Sequence, residues 1–248
     1  MKPRLISGML APSPKNESAM LEFILRGRGP NTMTVDSLRE MQQALNTHPQ
    51  DPVLIYGQGT AFSAGLDLDA VVKHGPKELA DAIEDAAEAL FLHSAPTVAA
   101  VNGHAIAGGC LMVQACDLRI GTTEPSMKMG MPGVALGINY PPKLVRILRY
   151  RIPAHTIDRV LLEADNHPPE QALQLGLLDL LAEFAIATGR ERLAALAKHP
   201  AAAYAEAKRA LRAGLMVISH QERAHFEAGF DSHWKAETMN AQRRDKAR

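Results

Sequence analysis

The chain has almost no cysteine: 248 residues contain two, Cys110 and Cys116. Both fall in one apolar stretch, where they read as small buried residues rather than as a disulfide or a metal pair, and so suggest a reducing compartment. Surplus charge is missing too. The 27 basic residues balance 27 acidic ones, so no overall basic field draws nucleic acid or anionic lipid. No apolar run reaches membrane-spanning length, and MKPRLISGML lacks the long apolar region of a signal peptide. A cytoplasmic protein with no membrane or nucleic-acid partner is expected. Histidines at metal spacing are absent as well: His93 and His104 have no second ligand beside them, so both read as structural and no metal is expected. No internal repeat or low-complexity tract occurs, and alanine-rich 182–203 keeps a helical period.

What is present is apolar material, 46% of the chain, enough for a large core in one domain or in a domain with a helical tail. Residues 3–12 and 19–26 alternate as two strands, and Gly27–Asn31 reads as a loop. Thr34-Val35-Asp36 opens a helix with Leu38, Met41 and Leu45 on one face. Lys77–His93 is amphipathic, and its acidic residues Asp81, Glu84, Asp85 and Glu88 read as a solvated face. Asp117–Gly121 is another short strand, followed by the Gly/Pro-punctuated loop 125–142. From Lys143 the pattern is nearly all helical: 143–150, 154–163, 168–175, 184–198, 200–216 and 218–239.

The chain is organised around AAVNGHAIAGGCLMVQACD, residues 99–117. A β-branched run, Thr97–Val101, reads as a buried strand. The chain then turns through Ala107-Gly108-Gly109 and continues apolar at helical spacing. A helix opening behind paired glycines presents free N–H groups, which suit an oxyanion or a phosphate; a tight packing turn is the alternative. A second stretch has the same design. The strand Val53–Tyr56 leads into GQGTAFSAGLDLDAV, with Ser63-Ala64-Gly65 before an apolar–acidic helix start. Two such turns suggest two main-chain donors converging on one carbonyl oxygen.

FSAGLDL, followed by AAVNGHAIAGGC and CDLRI, resembles the crotonase (enoyl-CoA hydratase/isomerase) superfamily over nearly the whole chain. The resemblance implies an α/β crotonase-like spiral of ββα repeats, the ClpP/crotonase fold, with two stacked, roughly perpendicular sheets. It implies a core domain over 1–184 and a helical trimerisation region over 185–248, assembling as a trimer or a dimer of trimers. It places the family's oxyanion-hole amides on Ala64 and Gly108, and an acyl-CoA thioester as the ligand. No cofactor is implied beyond the coenzyme A of that substrate. Contacts to the CoA are implied from Gly65, Leu66, Asp67, Leu68 and Gly109, and from the basic side chains Arg26 and Arg28.

The acid–base residues depart from the family pattern. The first glutamate of the hydratases falls on Leu111, and registering on Gly130 and Gly137 puts the second on Gly133. Neither residue moves a proton, so hydration by that route is not expected. The turn GGCL is closest to the mitochondrial-type Δ3,Δ2-enoyl-CoA isomerases, whose single glutamate stands at the second position, also missing here. The nearest upstream carboxylate is Glu124. Three replacements come into question. Glu88 lies on a helix that in some relatives, such as the dehalogenases, serves the acyl pocket; Asp67 reads first as a helix cap; Tyr140 can orient a carboxylate, donate a hydrogen bond, or simply pack.

Enolate stabilisation survives the loss of both glutamates, whether the enolate arises by proton removal, decarboxylation or carbon–carbon cleavage. The first expectation is therefore an acyl-CoA isomerase with a displaced acid–base residue. Second stands a non-catalytic acyl-CoA binder, or a decarboxylase or carbon–carbon lyase. A scaffold using only the fold comes last, because both turns keep their small residues.

Overall fold

The computed structural model describes residues 10–12, 20–67 and 69–230. The parts of the expected elements over 3–9, 19 and 231–239 lie outside the described residues. The sequence's habit of following each buried strand with a second, shorter one sets the architecture. Strand β3 (Val53–Gly57) is followed by β4 (Ala61–Ser63), β5 (Thr97–Val101) by β6 (His104–Ile106), and β7 (Leu118–Thr122) by β8 (Met129–Gly130). The first member of each pair joins a six-stranded sheet, ordered β1-β2-β3-β5-β7-β10, with β1 (Leu10–Pro12), β2 (Leu21–Leu25) and β10 (Leu180–Ala182). The second joins a four-stranded sheet, β4-β6-β8-β9, closed by β9 (Asn166–His167). Pairing is parallel except at β1–β2 and β8–β9. This is the expected α/β spiral of strand-pair and helix repeats.

Alternation explains the two cores. All of β5 is buried, with Ala99 and Val101 in the main core and Val98 and Ala100 in a second cluster with Leu54, Ile120, Ala185 and Leu193. Helix α2 (Val35–Thr47) starts where expected, with Thr34 and Ser37 forming a reciprocal cap, and buries Leu38, Met41 and Leu45. Helix α3 (Asp69–His74) precedes α4 (Pro76–Leu92), which packs on α2 and on α5 (Gly108–Ala115). Two further helices, α6 (Pro142–Arg151) and α7 (Pro169–Gln174), come next. Helix α8 (Ala185–Leu196) lies on the large sheet and supplies Ala185 and Leu193 to its second cluster. Helices α9 (Ala201–Leu211) and α10 (His220–Glu227) complete the described chain. No helix among the described residues is long and apolar enough to cross a membrane.

The sequence placed Glu84 on a solvated face, and the structure corrects this: Glu84 is 1% exposed. The N-cap of α6 is Pro141, which has no side-chain cap of its own, so the Glu84 carboxylate accepts the Lys143 N–H at 2.9 Å instead. Arg223 of α10 pairs with the same carboxylate and clamps that helix onto α4.

A buried charge cluster joins α9 to the sheet. Asp117, at the foot of β7, accepts from the Thr97 N–H, the Tyr204 hydroxyl and Lys208 Nζ at 2.8–2.9 Å, and from the Arg212 guanidinium at 2.7 Å. Burial alone raises the Asp117 carboxyl, but Lys208 and Arg212 outweigh it and hold it below the ordinary value. Burial also pushes Lys208 down to about 8. Asp117→Asn leaves two buried cations without their anion and is expected to cost about 3–5 kcal/mol in denaturant unfolding. Because the folded carboxyl titrates below its unfolded value, the Asp117 contribution is full above pH ~4. It is lost as pH falls through the lower folded value. Acid titration of the wild type should show this loss, and Asp117→Asn should lack it.

Candidate active site

Three turns leave the same edge of the small sheet, because β4, β6 and β8 run parallel and side by side. These are residues 64–67 after β4, 107–108 after β6 and 131–133 after β8. They pack closely: a Cβ built on Gly65 lies 2.9 Å from the Gly108 nitrogen and 3.3 Å from Ala107 Cβ. Asn102 ties the two strand pairs together, accepting the Gly57 N–H and donating to the Gly57 and Gly59 carbonyls at 2.8–2.9 Å.

The middle turn stores strain. Ala107 has φ 51° and ψ −116°, a region that glycine tolerates and alanine does not, at a cost of about 1–3 kcal/mol. It is held by its own N–H on the Gly130 carbonyl at 2.9 Å and by its carbonyl accepting from Leu111 N–H. The result is α5 opening with the Gly108 N–H, which has no acceptor among the described residues. Gly109 is buried against the Ser63 carbonyl, so its lack of a side chain serves helix packing.

The first turn is differently engaged. The Ala64 N–H donates to the Pro30 carbonyl at 2.9 Å. Gly65 N–H donates to Ser63 Oγ at 3.1 Å, and that hydroxyl donates to the Asn31 carbonyl at 2.7 Å. Met33 pairs with the turn as a short bridge to Leu66, through Met33 N–H to the Gly65 carbonyl and Asp67 N–H to the Met33 carbonyl, both 2.8 Å. Asp67 Oδ1 accepts the Asp69 N–H at the start of α3, the capping role read from the sequence. Leu68 lies outside the described residues. Arg26 is exposed, and Arg28 is exposed and paired with Asp69 at 2.6 Å.

At Leu111 and Gly133, where the resemblance leads one to expect glutamates, the structure shows what fills the space. Leu111 is 2% exposed and packs in the main core. Gly133 faces Tyr140: a Cβ at 133 would lie 2.4 Å from the phenol oxygen. The Tyr140 hydroxyl accepts the Gly133 N–H at 2.9 Å and donates to the Met131 carbonyl at 3.0 Å. Burial pushes this phenol up to about 12, against the Gly133 N–H, and Cys110 of α5 is near enough to add to the rise. Tyr140 and Gly133 are thus one feature, a pairing the sequence did not reveal. A glycine at an expected carboxylate position, with a tyrosine seven residues on, was the available signal.

Glu88 is not brought to these turns. Its carboxylate pairs with Lys143, and it lines a surface groove with Gln42, Asn46 and His93 that shares no residue with them. Glu124 is exposed and accepts the Ser126 N–H within its own turn. His93 is structural, its Nε2 bonded to the Asp51 carbonyl at 2.8 Å, and His104 Nδ1 accepts the Lys128 N–H. Both cysteines are free and buried, and burial raises their thiols to about 12. No group of three histidine, cysteine or carboxylate residues that could hold a metal occurs among the described residues.

Residues 16–244 match the family model for enoyl-CoA hydratase/isomerase. The chain belongs to the enoyl-CoA hydratase/isomerase family. It is 31% identical over 157 residues to the human mitochondrial enoyl-CoA delta isomerase 1, covering 60% of this chain and 52% of that one. It is 26% identical over 192 residues to the 2,3-dehydroadipyl-CoA hydratase of Escherichia coli, covering 73% and 72%. The matches to the human and rat isomerases thus span about half the length of those curated relatives. Among solved structures, the human mitochondrial delta3-delta2-enoyl-CoA isomerase superposes with a TM-score of 0.83 at 25% identity, over 97% of this chain and 99% of that one. The family match and the fold agree with the resemblance read from the two turns.

Gly65 tests how tightly the turns of this family member meet. Its φ is 92°, and a Cβ there comes within 3.0 Å of both the Gly108 nitrogen and the Ile106 carbonyl. Gly65→Ala is expected to cost about 1–3 kcal/mol in guanidinium unfolding and, by forcing the two turns apart, to speed hydrogen exchange at the Gly108 amide, measured by NMR.

Proposed function

We propose that this protein binds an acyl-CoA thioester, holds the enolate oxygen at the Gly108 N–H, and delivers a proton to the enolate carbon from Tyr140. The observation that carries this reading is the Tyr140 hydroxyl in the space of a side chain at Gly133, where the family pattern has its carboxylate. A phenol with a pKa of about 12 is a proton donor at neutral pH and a poor base. Such a site suits a reaction that makes the enolate without removing a proton. In the decarboxylation of a carboxyacyl-CoA, the Cα–carboxylate bond breaks, carbon dioxide leaves, and the electron pair enters the enolate. Tyr140 then leaves the Met131 carbonyl, gives its proton to Cα, and recovers one from water. Carbon–carbon cleavage beside the thioester makes the same demand.

A double-bond shift, the first expectation from the GGCL turn, is the second reading, and the likeness to the human isomerase structure favours it. It needs a base to take the α proton, and neither Leu111 nor Gly133 can supply one. A third outcome is a binder without turnover. Assembly as a trimer or a dimer of trimers also remains a proposal, and sedimentation of a monomer at micromolar concentration would overturn it.

Incubation with malonyl-CoA, methylmalonyl-CoA, a 3-enoyl-CoA and a 2-enoyl-CoA in D2O, read by mass spectrometry, separates these readings. Loss of 44 mass units with deuterium gained at Cα is expected, on the order of one deuterium per turnover if Tyr140 is the single donor. A shifted double bond without mass loss would favour the isomerase, and added water would overturn the reading of Leu111 and Gly133. Tyr140→Phe should lower kcat by about 10²–10⁴-fold with little change in KM. The wild-type rate should not fall through loss of the Tyr140 proton until the pH approaches about 12.

A further inference from the structure

Tyr140 is fixed at two points, and only one lies in its own loop. Its hydroxyl bonds the Gly133 N–H and the Met131 carbonyl, which sets the head of the ring. The backbone at its root leads straight into Pro141, the N-cap of α6, and Pro142, its first residue. Both rings lock φ, neither has an N–H, and Pro141 disfavours helical backbone at Tyr140 itself. The first N–H beyond the tyrosine is therefore that of Lys143, and Glu84 of α4 accepts it at 2.9 Å. With two prolines between, little slack separates that bond from the phenol.

Glu84 is buried and has a second engagement, its other carboxylate oxygen accepting from the Arg223 guanidinium of α10. Helix α10 also reaches the loop directly, through Asn139 Nδ2 donating to the Phe226 carbonyl at 3.3 Å. Arg146, one turn along α6, bonds the Leu215 carbonyl at 3.3 Å and pairs with Glu222 at 2.6 Å. The residues on both sides of Tyr140 thus hang on α4 and α10. An Asp or Ser at position 141 would cap α6 locally. A buried carboxylate from another helix does so only while its charge is satisfied, which ties the start of α6 to the docking of α10.

We infer that Glu84 is the positioning residue for Tyr140: through the Lys143 N–H it sets the root of the tyrosine, and through Arg223 it makes that setting depend on α10. This rests on the reading of Tyr140 as the proton donor. Glu84 touches no reacting atom in this scheme. Its effect is geometric, and a donor misplaced by about 1 Å can lose on the order of 10² in rate.

Glu84→Gln keeps a carbonyl oxygen for the Lys143 N–H and removes the charge that Arg223 pairs with. Arg223→Gln, at a half-buried position, removes the same tie from the other side and carries the test if Glu84→Gln does not fold. With malonyl-CoA, each should lower kcat about tenfold with KM within about twofold, and Arg223→Lys should recover part of the loss. In a Tyr140→Phe background neither should lower kcat further, because a misplaced donor and a missing one are equivalent. A further tenfold fall there would overturn the inference. Glu88→Gln changes only the partner of the Lys143 side chain and should leave kcat and KM unchanged; a loss equal to that of Glu84→Gln would also overturn it. Amide exchange by NMR reads the placement without turnover. The Gly133 N–H, which donates to the Tyr140 hydroxyl, should exchange at least about tenfold faster in Glu84→Gln, with Gly108 unchanged. Gly133 exchange at the wild-type rate in both variants would overturn the positioning role and leave the donor reading standing. A wild type that turns over no carboxyacyl-CoA would overturn the donor reading, while Gly133 exchange still decides whether Glu84 places the hydroxyl.

Discussion

Parallel pairing of three short strands, β4, β6 and β8, is the constraint on which the candidate site depends. Parallel neighbours end at the same edge, so whatever follows each strand is delivered to one place. The first strands of the pairs build the large sheet, and the second strands add Phe62, Ala105 and Met129 to the main core. The small sheet thus anchors the turns it delivers through side chains buried in that core. The strain at Ala107 is affordable because the turn is fixed on both sides, through Gly130 on β8 and the start of α5.

The buried charges serve the other end of the molecule. Asp117 and Asp179 gather Lys208, Arg212 and Arg119 at the ends of β7 and β10, tying α9 and the 176–179 turn to the large sheet. Their worth lies in fixing which helix docks where, since a missing partner leaves a buried ion behind. Glu84 does the same for α6 and α10, and that clamp sets the loop before α6 from which Tyr140 projects.

Most of this architecture was legible because it is written in local patterns. The β-branched run at 97–101, the glycine turns and the Thr34 cap each act within a few residues, and the two turns named the family before any coordinates did. The features that escaped are pairings between distant residues. Glu84 looks solvated on its own helix because nothing in that helix announces that α6 starts at a proline and lacks a cap. The Pro30–Ala64 bond joins main-chain atoms, so no side chain records it. Tyr140 and Gly133 are seven apart, yet their contact depends on a loop whose path the sequence does not specify.

Losing both carboxylates changes the electrostatics of the site as well as its acid–base chemistry. A glutamate that removes a proton also leaves an anion near the forming enolate unless the proton stays with it. Here hydrocarbon at Leu111 and a neutral phenol at Tyr140 occupy those places, so no carboxylate at either position opposes negative charge at Gly108. Such a site is better at holding an enolate and worse at making one from a C–H bond. Under the reading proposed above, that asymmetry favours substrates that bring their own leaving group, and turnover then depends on the tyrosine's proton rather than on any base.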